Sequence, residues 1–124
     1  MDLLQHIKKH AIIYTTIGEL IKDNCVATEI IFDTPETLVK YLLDNDCFIS
    51  VIRWWDRTPL NLSSPIGGGG KKDPRNSQYY FAETYIEAYF NKSTTYSEYI
   101  EYINSIKDKY SSYDIYPAFD IYVK

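Results

Sequence analysis

The sequence predicts an α+β fold in which a mixed or antiparallel sheet of about four strands packs with two to four helices. Segments with helical periodicity alternate along the chain with runs rich in β-branched and aromatic residues. A capping box at residues 95–98 also marks a helix start shortly before a final β-rich run. The 124 residues, 45% hydrophobic and 24% charged, suit a single globular domain spanning residues 1–124.

The N-terminal region predicts one helix and leaves a second segment open. Apolar residues at helical spacing predict a helix over about residues 2–10. Residues 11–24 combine strand-forming residues with a helical pattern that Gly18 weakens. We interpret this segment as a break followed by a short second helix.

The next elements are a strand and a well-delimited helix. Residues 26–32 are β-rich and predict the strand. Thr34 as a cap and Pro35 at the first helical position then predict a helix start. An apolar stripe continues this helix until Asp and Asn residues at 44–46 end it.

Residues 48–55 predict a central strand, because every residue through Ile52 except Ser50 is apolar. Three prolines, four consecutive glycines and scattered polar residues follow, so we expect a Gly-rich loop at about residues 56–76. A loop of this length in a compact domain is usually functional or disordered.

Residues 81–90 fit either a strand or a helix, and regular alternation with many aromatic residues favours the strand. The strand would present two faces, one with Ala82, Thr84, Ile86, Ala88 and Phe90, the other with Phe81, Glu83, Tyr85, Glu87 and Tyr89. The capping box then begins a helix of about fifteen residues. Residues 118–123 predict the last strand.

The acidic net charge limits the classes of partner that the protein could bind. The net charge is −4 and the pI is near 5.1, so we expect no nucleic-acid partner, whereas a basic protein partner is compatible. Cys25 and Cys47 lack metal or redox spacing and are expected to stay reduced. No apolar run has the length of a signal sequence or a membrane span, so we expect no membrane association and a cytoplasmic protein.

Three patterns approach known reactive sites but lack required residues. The Gly-Lys segment at residues 67–72 has Pro65 and Lys72 where a phosphate-binding loop needs a glycine and a hydroxyl. His6 and His10 could share a helix face, but no glutamate follows the first and no third histidine exists. A Cys–His pair would require the terminal helix to fold back. We therefore expect no metal, no cofactor and no catalytic residues.

Paired carboxylates and clustered aromatic residues remain as candidates. Glu83 and Glu87 share one face of either a strand or a helix, and Asp114 and Asp120 could join them. Carboxylates alone can run acid–base chemistry where their environments separate their pKa values. The alternative function is therefore a small carboxylate-dependent enzyme that uses Glu83 and Glu87 under a Gly-rich lid.

The aromatic residues favour a protein-binding face over a platform for nucleic-acid bases. Base stacking normally accompanies a positive groove, but residues 76–124 carry four Lys against seven Asp and Glu. Tyr and Trp are enriched at interface hot spots, and a rim of carboxylates would complement a basic partner.

A family resemblance points the same way. The Trp-Trp strand, the Gly-rich run and the Ala-Glu-Thr-Tyr segment of residues 47–90, together with residues 113–120, resemble a bacterial protein type. In this pattern, and in size and acidity, the chain is similar to small immunity proteins of contact-dependent growth inhibition and related polymorphic toxin systems.

The resemblance implies an immunity protein, or antitoxin, that is not an enzyme. It would bind and neutralise the C-terminal domain of a cognate bacterial toxin, commonly a basic nuclease, by 1:1 protein–protein inhibition. We expect the toxin to contact acidic and aromatic residues near the Gly-rich loop, namely Trp54, Trp55, Asp56, Tyr80, Glu83, Tyr85 and Glu87.

Overall fold

The computed structural model describes residues 3–13, 25–33 and 35–124. In chain order, the described elements are α1 (Leu3–His10), β1 (Ala11–Ile13), β2 (Cys25–Phe32), α2 (Pro35–Asp44), β3 (Cys47–Pro59), β4 (Gly67–Lys72), β5 (Tyr79–Tyr89), α3 (Tyr96–Lys109) and β6 (Ile115–Val123). The α+β class is therefore confirmed. Thr34 and residues 14–24, the part of the chain in which the short second helix is expected, lie outside the described residues.

The described strands form one six-stranded sheet in the order β1-β2-β6-β3-β5-β4. Every neighbouring pair is antiparallel, so the sheet is antiparallel and larger than the four strands that the sequence predicts. The two additional strands, β1 and β4, are the edges. Their patterns were hard to recognise because β1 is short and β4 is mostly glycine.

Two helical crossovers place helices on the same face of the sheet. Helix α2 connects β2 to β3, and β6 lies between those two strands in the sheet. Helix α3 connects β5 to β6, and β3 lies between them. Residues of all three helices pack into one core with β2, β3 and β6. The helical members of this core are Ile7, Leu38, Val39, Leu42, Tyr99 and Ile103.

Local signals identify the last helix and the strand before it. The Thr95 side chain accepts a hydrogen bond from the Glu98 backbone N–H, and the Glu98 side chain accepts one from the Thr95 backbone N–H. This confirms the capping box. The segment over Tyr79–Tyr89 is a strand, as its alternation indicates. Its inner residues Ala82 and Thr84 are buried, whereas Tyr85 is exposed.

The loop expected over residues 56–76 is only partly present, because two stretches of it are strand. Strand β3 continues to Pro59, and Gly67–Lys72 pairs with β5 as an edge strand. Glycine normally weakens a strand, but here the two backbones approach so closely that side chains would collide. A Cβ at Gly67 would lie 2.6 Å from the Glu83 carbonyl oxygen, and Gly70 has a φ of +134°.

We predict that Gly70→Ala destabilises the protein. Alanine would be held at a positive φ, and its Cβ would collide with the carbonyl oxygen of Phe81. We expect the free energy of unfolding, measured by urea denaturation, to fall by about 2 kcal/mol.

Gly68→Ala is the matched control, because nothing lies within 4 Å of an added Cβ at that position. Its free energy of unfolding should change by no more than about 0.5 kcal/mol. Equal effects of the two substitutions would contradict the description of this segment as a closely paired strand.

Candidate binding face of the sheet

The face of the sheet opposite the helices, called the second face here, carries the candidate site. A second hydrophobic cluster on this face contains Trp55, Phe81 and Ala118, with Tyr116 packed against it and Ile12 and Ile31 completing it. None of these residues comes from a helix. The polar residues around the cluster divide into an acidic group and a basic group.

The acidic group lies along the C-terminal half of β5. Alternation in this strand turns Glu83, Tyr85, Glu87 and Tyr89 outward, and all four are exposed. Tyr85 is 89% exposed and Tyr89 is 70% exposed, the two most exposed large hydrophobic side chains described. We call these four residues the acidic strip. Exposed tyrosines are enriched at protein-binding surfaces.

Neighbouring strands hold one end of the acidic strip in place. The Tyr89 hydroxyl donates a hydrogen bond to Glu87 Oε1 at 2.7 Å, and Arg53 Nε donates one to Glu87 Oε2 at 3.2 Å. Arg53 Nη1 also donates to Asp120 Oδ2 at 2.9 Å. Three adjacent strands, β5, β3 and β6, therefore fix the position of the Glu87 carboxylate.

This network also shifts two pKa values. Partial burial acts to lower the pKa of Arg53, but the hydrogen bonds and charges of Asp120 and Glu87 raise it. The pKa of Tyr89 is raised chiefly by its hydrogen bond to Glu87 and by the negative charge of that carboxylate. Both raised pKa values mean that Arg53 and Tyr89 keep the protons with which they donate hydrogen bonds to Glu87.

The basic group surrounds Asp73 at the other end of the second face. Asp73 has a fully buried side chain and accepts a hydrogen bond from Arg57 Nε at 2.7 Å and one from the Arg75 backbone N–H at 2.8 Å. The Arg57 guanidinium lies 3.8 Å from the Tyr79 ring centroid. We call Arg57, Lys71 and Arg75 the basic end.

Asp73 is a stabilised carboxylate. Burial acts to raise its pKa, but the hydrogen bonds from Arg57 and the Arg75 backbone, with the charges of both arginines, lower it below the usual 3.8. Asp114, which could have joined the glutamates, instead belongs to this group, with its Oδ2 3.6 Å from Arg57 Nη1.

Two of the seven expected contact residues are not presented to a partner. Trp54 is fully buried in the main core, where its Nε1 donates a hydrogen bond to the Tyr102 hydroxyl at 3.1 Å. Asp56 is 4% exposed and accepts hydrogen bonds from Ser64 and Thr58 at 2.6 and 3.1 Å. The helices cover Trp54, and hydroxyl groups of Ser64 and Thr58 satisfy the Asp56 carboxylate, so both side chains belong to the interior of the protein.

The other five expected residues are not equivalent. Trp55 lies on the second face but is only 6% exposed. Tyr80 is half-buried, and its hydroxyl donates a hydrogen bond to the Leu62 carbonyl at 3.2 Å. Only Glu83, Tyr85 and Glu87 are exposed.

Sequence reasoning did not select Tyr89 or Arg53 for the site. The alternation of residues 81–90 already places Tyr89 on the face of Glu87, so that signal was available. Arg53 depends on the register of β3 with β5 and β6, where it pairs with Glu87 and Ala118. No local pattern shows this register.

The geometry gives little support to a catalytic site at the glutamate pair. The Gly-rich segment is a paired strand and not a free lid, and Glu87 is engaged by Arg53. Two described cavities, of about 340 and 380 Å³, lie elsewhere: one is lined by residues 59–61 and 77–79, the other by residues of the helices including His6 and Tyr41. In the second cavity His6 stacks on Tyr41, with ring centroids 3.6 Å apart.

The described ranges contain neither a candidate metal site nor a candidate membrane-spanning helix. Across residues 3–13, 25–33 and 35–124, no three His, Cys, Asp or Glu side chains are grouped so that they could hold a metal ion. Within the same ranges, no helix has the length and apolar character needed to span a membrane.

Comparison with protein-family models, with curated proteins and with solved structures gave no match. The function must therefore be argued from the geometry of the second face.

We predict that Asp73→Asn destabilises the protein by about 2 kcal/mol at pH 7, because two guanidinium groups lose their carboxylate. The lowered pKa of Asp73 means that its contribution is complete above the usual value of 3.8 and is lost as the pH falls through the lower folded value. The loss of stability in acid should therefore be smaller in the variant than in the native protein.

Urea denaturation at pH 7 and at a series of lower pH values measures both effects. Asp108→Asn is the control, because Asp108 is exposed on α3. If Asp73→Asn behaves like this control at every pH, the stabilising role of Asp73 is wrong.

Proposed function

We propose that this chain is an immunity protein that binds a cognate bacterial toxin domain and neutralises it by 1:1 inhibition. The observation that carries the proposal is the acidic strip, in which two highly exposed tyrosines alternate with outward-facing carboxylates on one strand. The family resemblance of the sequence supports the same function.

The strip has the composition of an interface hot spot. Tyr85 and Tyr89 offer large rings that lose little conformational entropy on binding, because each side chain has few rotatable bonds. An exposed ring of this size is stabilised when a partner covers it. A cluster of this kind suits contact with a protein surface better than contact with a small molecule, since no described cavity opens beside it.

The carboxylates indicate the charge of the partner. Glu83 and Glu87 would accept hydrogen bonds from Lys or Arg side chains, and charge-assisted hydrogen bonds are stronger than neutral ones. Glu87 already pairs with Arg53, so Glu83, which forms no ion pair with any described residue, is the carboxylate more available to a partner cation. A nuclease domain must hold phosphates with basic residues and would present such cations.

The proposal assigns no reaction to the chain and places it in the cytoplasm, where a nuclease would act. Inhibition requires a complementary surface, and the strip could cover either the toxin active site or a neighbouring surface. Association between an acidic and a basic surface should also be accelerated by electrostatic steering and slowed by salt.

We predict that Tyr85→Ala, Tyr89→Ala and Glu83→Gln each weaken toxin binding about tenfold, which corresponds to ~1.4 kcal/mol. The measurement is isothermal titration calorimetry of each variant against the toxin domain encoded directly upstream of this gene. The native protein should bind with 1:1 stoichiometry and a dissociation constant on the order of nanomolar.

Two matched controls lie on the helical side of the molecule. Tyr96→Ala removes another exposed tyrosine, and Glu101→Gln removes another exposed glutamate, both from α3. Neither should change the affinity. If native protein and upstream domain do not bind, the immunity function is wrong and the Glu83–Glu87 pair becomes the site to test for activity. Equal losses in the strip and control variants would mean that the strip is not the interface.

A further inference from the structure

Trp55 lies on the second face between Glu83 of the acidic strip and Lys71 of the basic end, and it has a feature that the acidic strip does not explain. The indole of Trp55 is 6% exposed, and its Nε1 has no hydrogen-bond partner. It is the one buried side-chain nitrogen or oxygen without a partner in the part of the chain that the structure describes. By contrast, the neighbouring Trp54 Nε1 donates to the Tyr102 hydroxyl.

A buried N–H group without an acceptor is costly, and an acceptor oxygen supplied by a bound group would remove that cost. A donor of this kind that stays unpaired loses its hydrogen bond to water and gains none in return. Buried tryptophans usually satisfy the indole N–H, and interface tryptophans often do so with a group from a ligand or another protein. The chemical requirement is an acceptor oxygen at Trp55.

Two cations lie near this position. Lys71 Nζ lies 5.4 Å from the Trp55 ring centroid, and the Arg75 guanidinium lies 6.0 Å from the ring centroid of Tyr116. Tyr116 is the cross-strand partner of Trp55, so the two rings and the two cations occupy adjacent positions. Lys71 forms no ion pair with any described residue.

We propose that Trp55, Lys71 and Arg75 form a subsite for an oxyanion. One oxygen of the anion would accept the hydrogen bond of Trp55 Nε1, after the flexible Lys71 side chain moves from the ring to contact the same anion. Arg75 would donate from the Tyr116 side, while its Nε stays 3.5 Å from Asp73 Oδ1. Carboxylates and phosphates share this chemistry.

The surrounding charges favour a singly charged anion. Glu83 pairs across the strands with Trp55, and its carboxylate would repel a multiply charged group. An Asp or Glu side chain of the toxin domain fits this requirement, and this assignment rests on the proposed function. The toxin would then present an acidic group to the basic end and basic groups to the acidic strip.

The test uses the full chain and the two tryptophan indole N–H signals in a ¹H–¹⁵N correlation spectrum, assigned with Trp55→Phe. Acetate and inorganic phosphate serve as probes, with chloride at matched ionic strength as the reference. We expect a saturable shift of the Trp55 signal with acetate, and a stronger response to phosphate would instead assign the site to a phosphate group. The Trp54 signal should stay in place because its N–H is bonded to Tyr102.

Lys71→Gln and Arg75→Gln should each lower the affinity of the protein for the probe about threefold, the loss typical of a partly exposed charge pair. Lys92→Gln, an exposed lysine in the turn before α3, is the control and should have no effect. A Trp55 signal that does not move, or that moves equally with chloride, would overturn the subsite. An equal loss in the Lys92→Gln variant would overturn it as well.

The toxin assignment has a separate readout. Lys71→Gln should weaken the toxin complex about threefold, whereas Lys92→Gln should not. If acetate binds but the toxin affinity is unchanged by Lys71→Gln, the subsite stands and its assignment to the toxin is wrong. If no toxin binds the native chain, the proposed function fails while the probe titration still decides the subsite.

Discussion

The rest of the structure depends on the pairing of β3 with a strand on each side. Cys47–Asp56 pairs with β6, and Val51–Pro59 pairs with β5. Because successive residues of a strand point to opposite faces, this pairing sends Trp54 into the helical core and Trp55 to the second face. Trp54 and Trp55 thus pack into the hydrophobic clusters on opposite faces of the sheet. Arg53, the residue before them, forms ion pairs with Glu87 of β5 and Asp120 of β6.

The elements that the sequence predicts well are those defined by local chemistry. The helix over Tyr96–Lys109 depends on hydrogen bonds within four residues, and the strand Tyr79–Tyr89 depends on its own alternation. The outward position of Glu83, Tyr85 and Glu87 follows from that alternation and needs no knowledge of the neighbouring strands. The exposed part of the candidate site could therefore be found from the sequence.

The features that the sequence does not predict depend on pairing between distant segments. Four glycines indicate a loop by propensity, yet at Gly67 and Gly70 the backbone of β5 leaves no room for a side chain. Asp56 resembles a surface residue in the sequence, but Ser64 and Thr58 satisfy its carboxylate inside the protein. Burial and register decide both cases, and neither is encoded within a window of a few residues.

The separation of charge on the second face bears on specificity more than on affinity. Exposed ion pairs contribute little stability on their own, so a single acidic patch would attract many basic proteins with similar strength. In the proposed complex, the acidic strip together with Lys71 and Arg75 would favour a partner that carries both charges over one that is basic throughout. A reversed complex would bring like charges together, so these groups would also set the orientation of that partner. The exposed tyrosines would supply affinity.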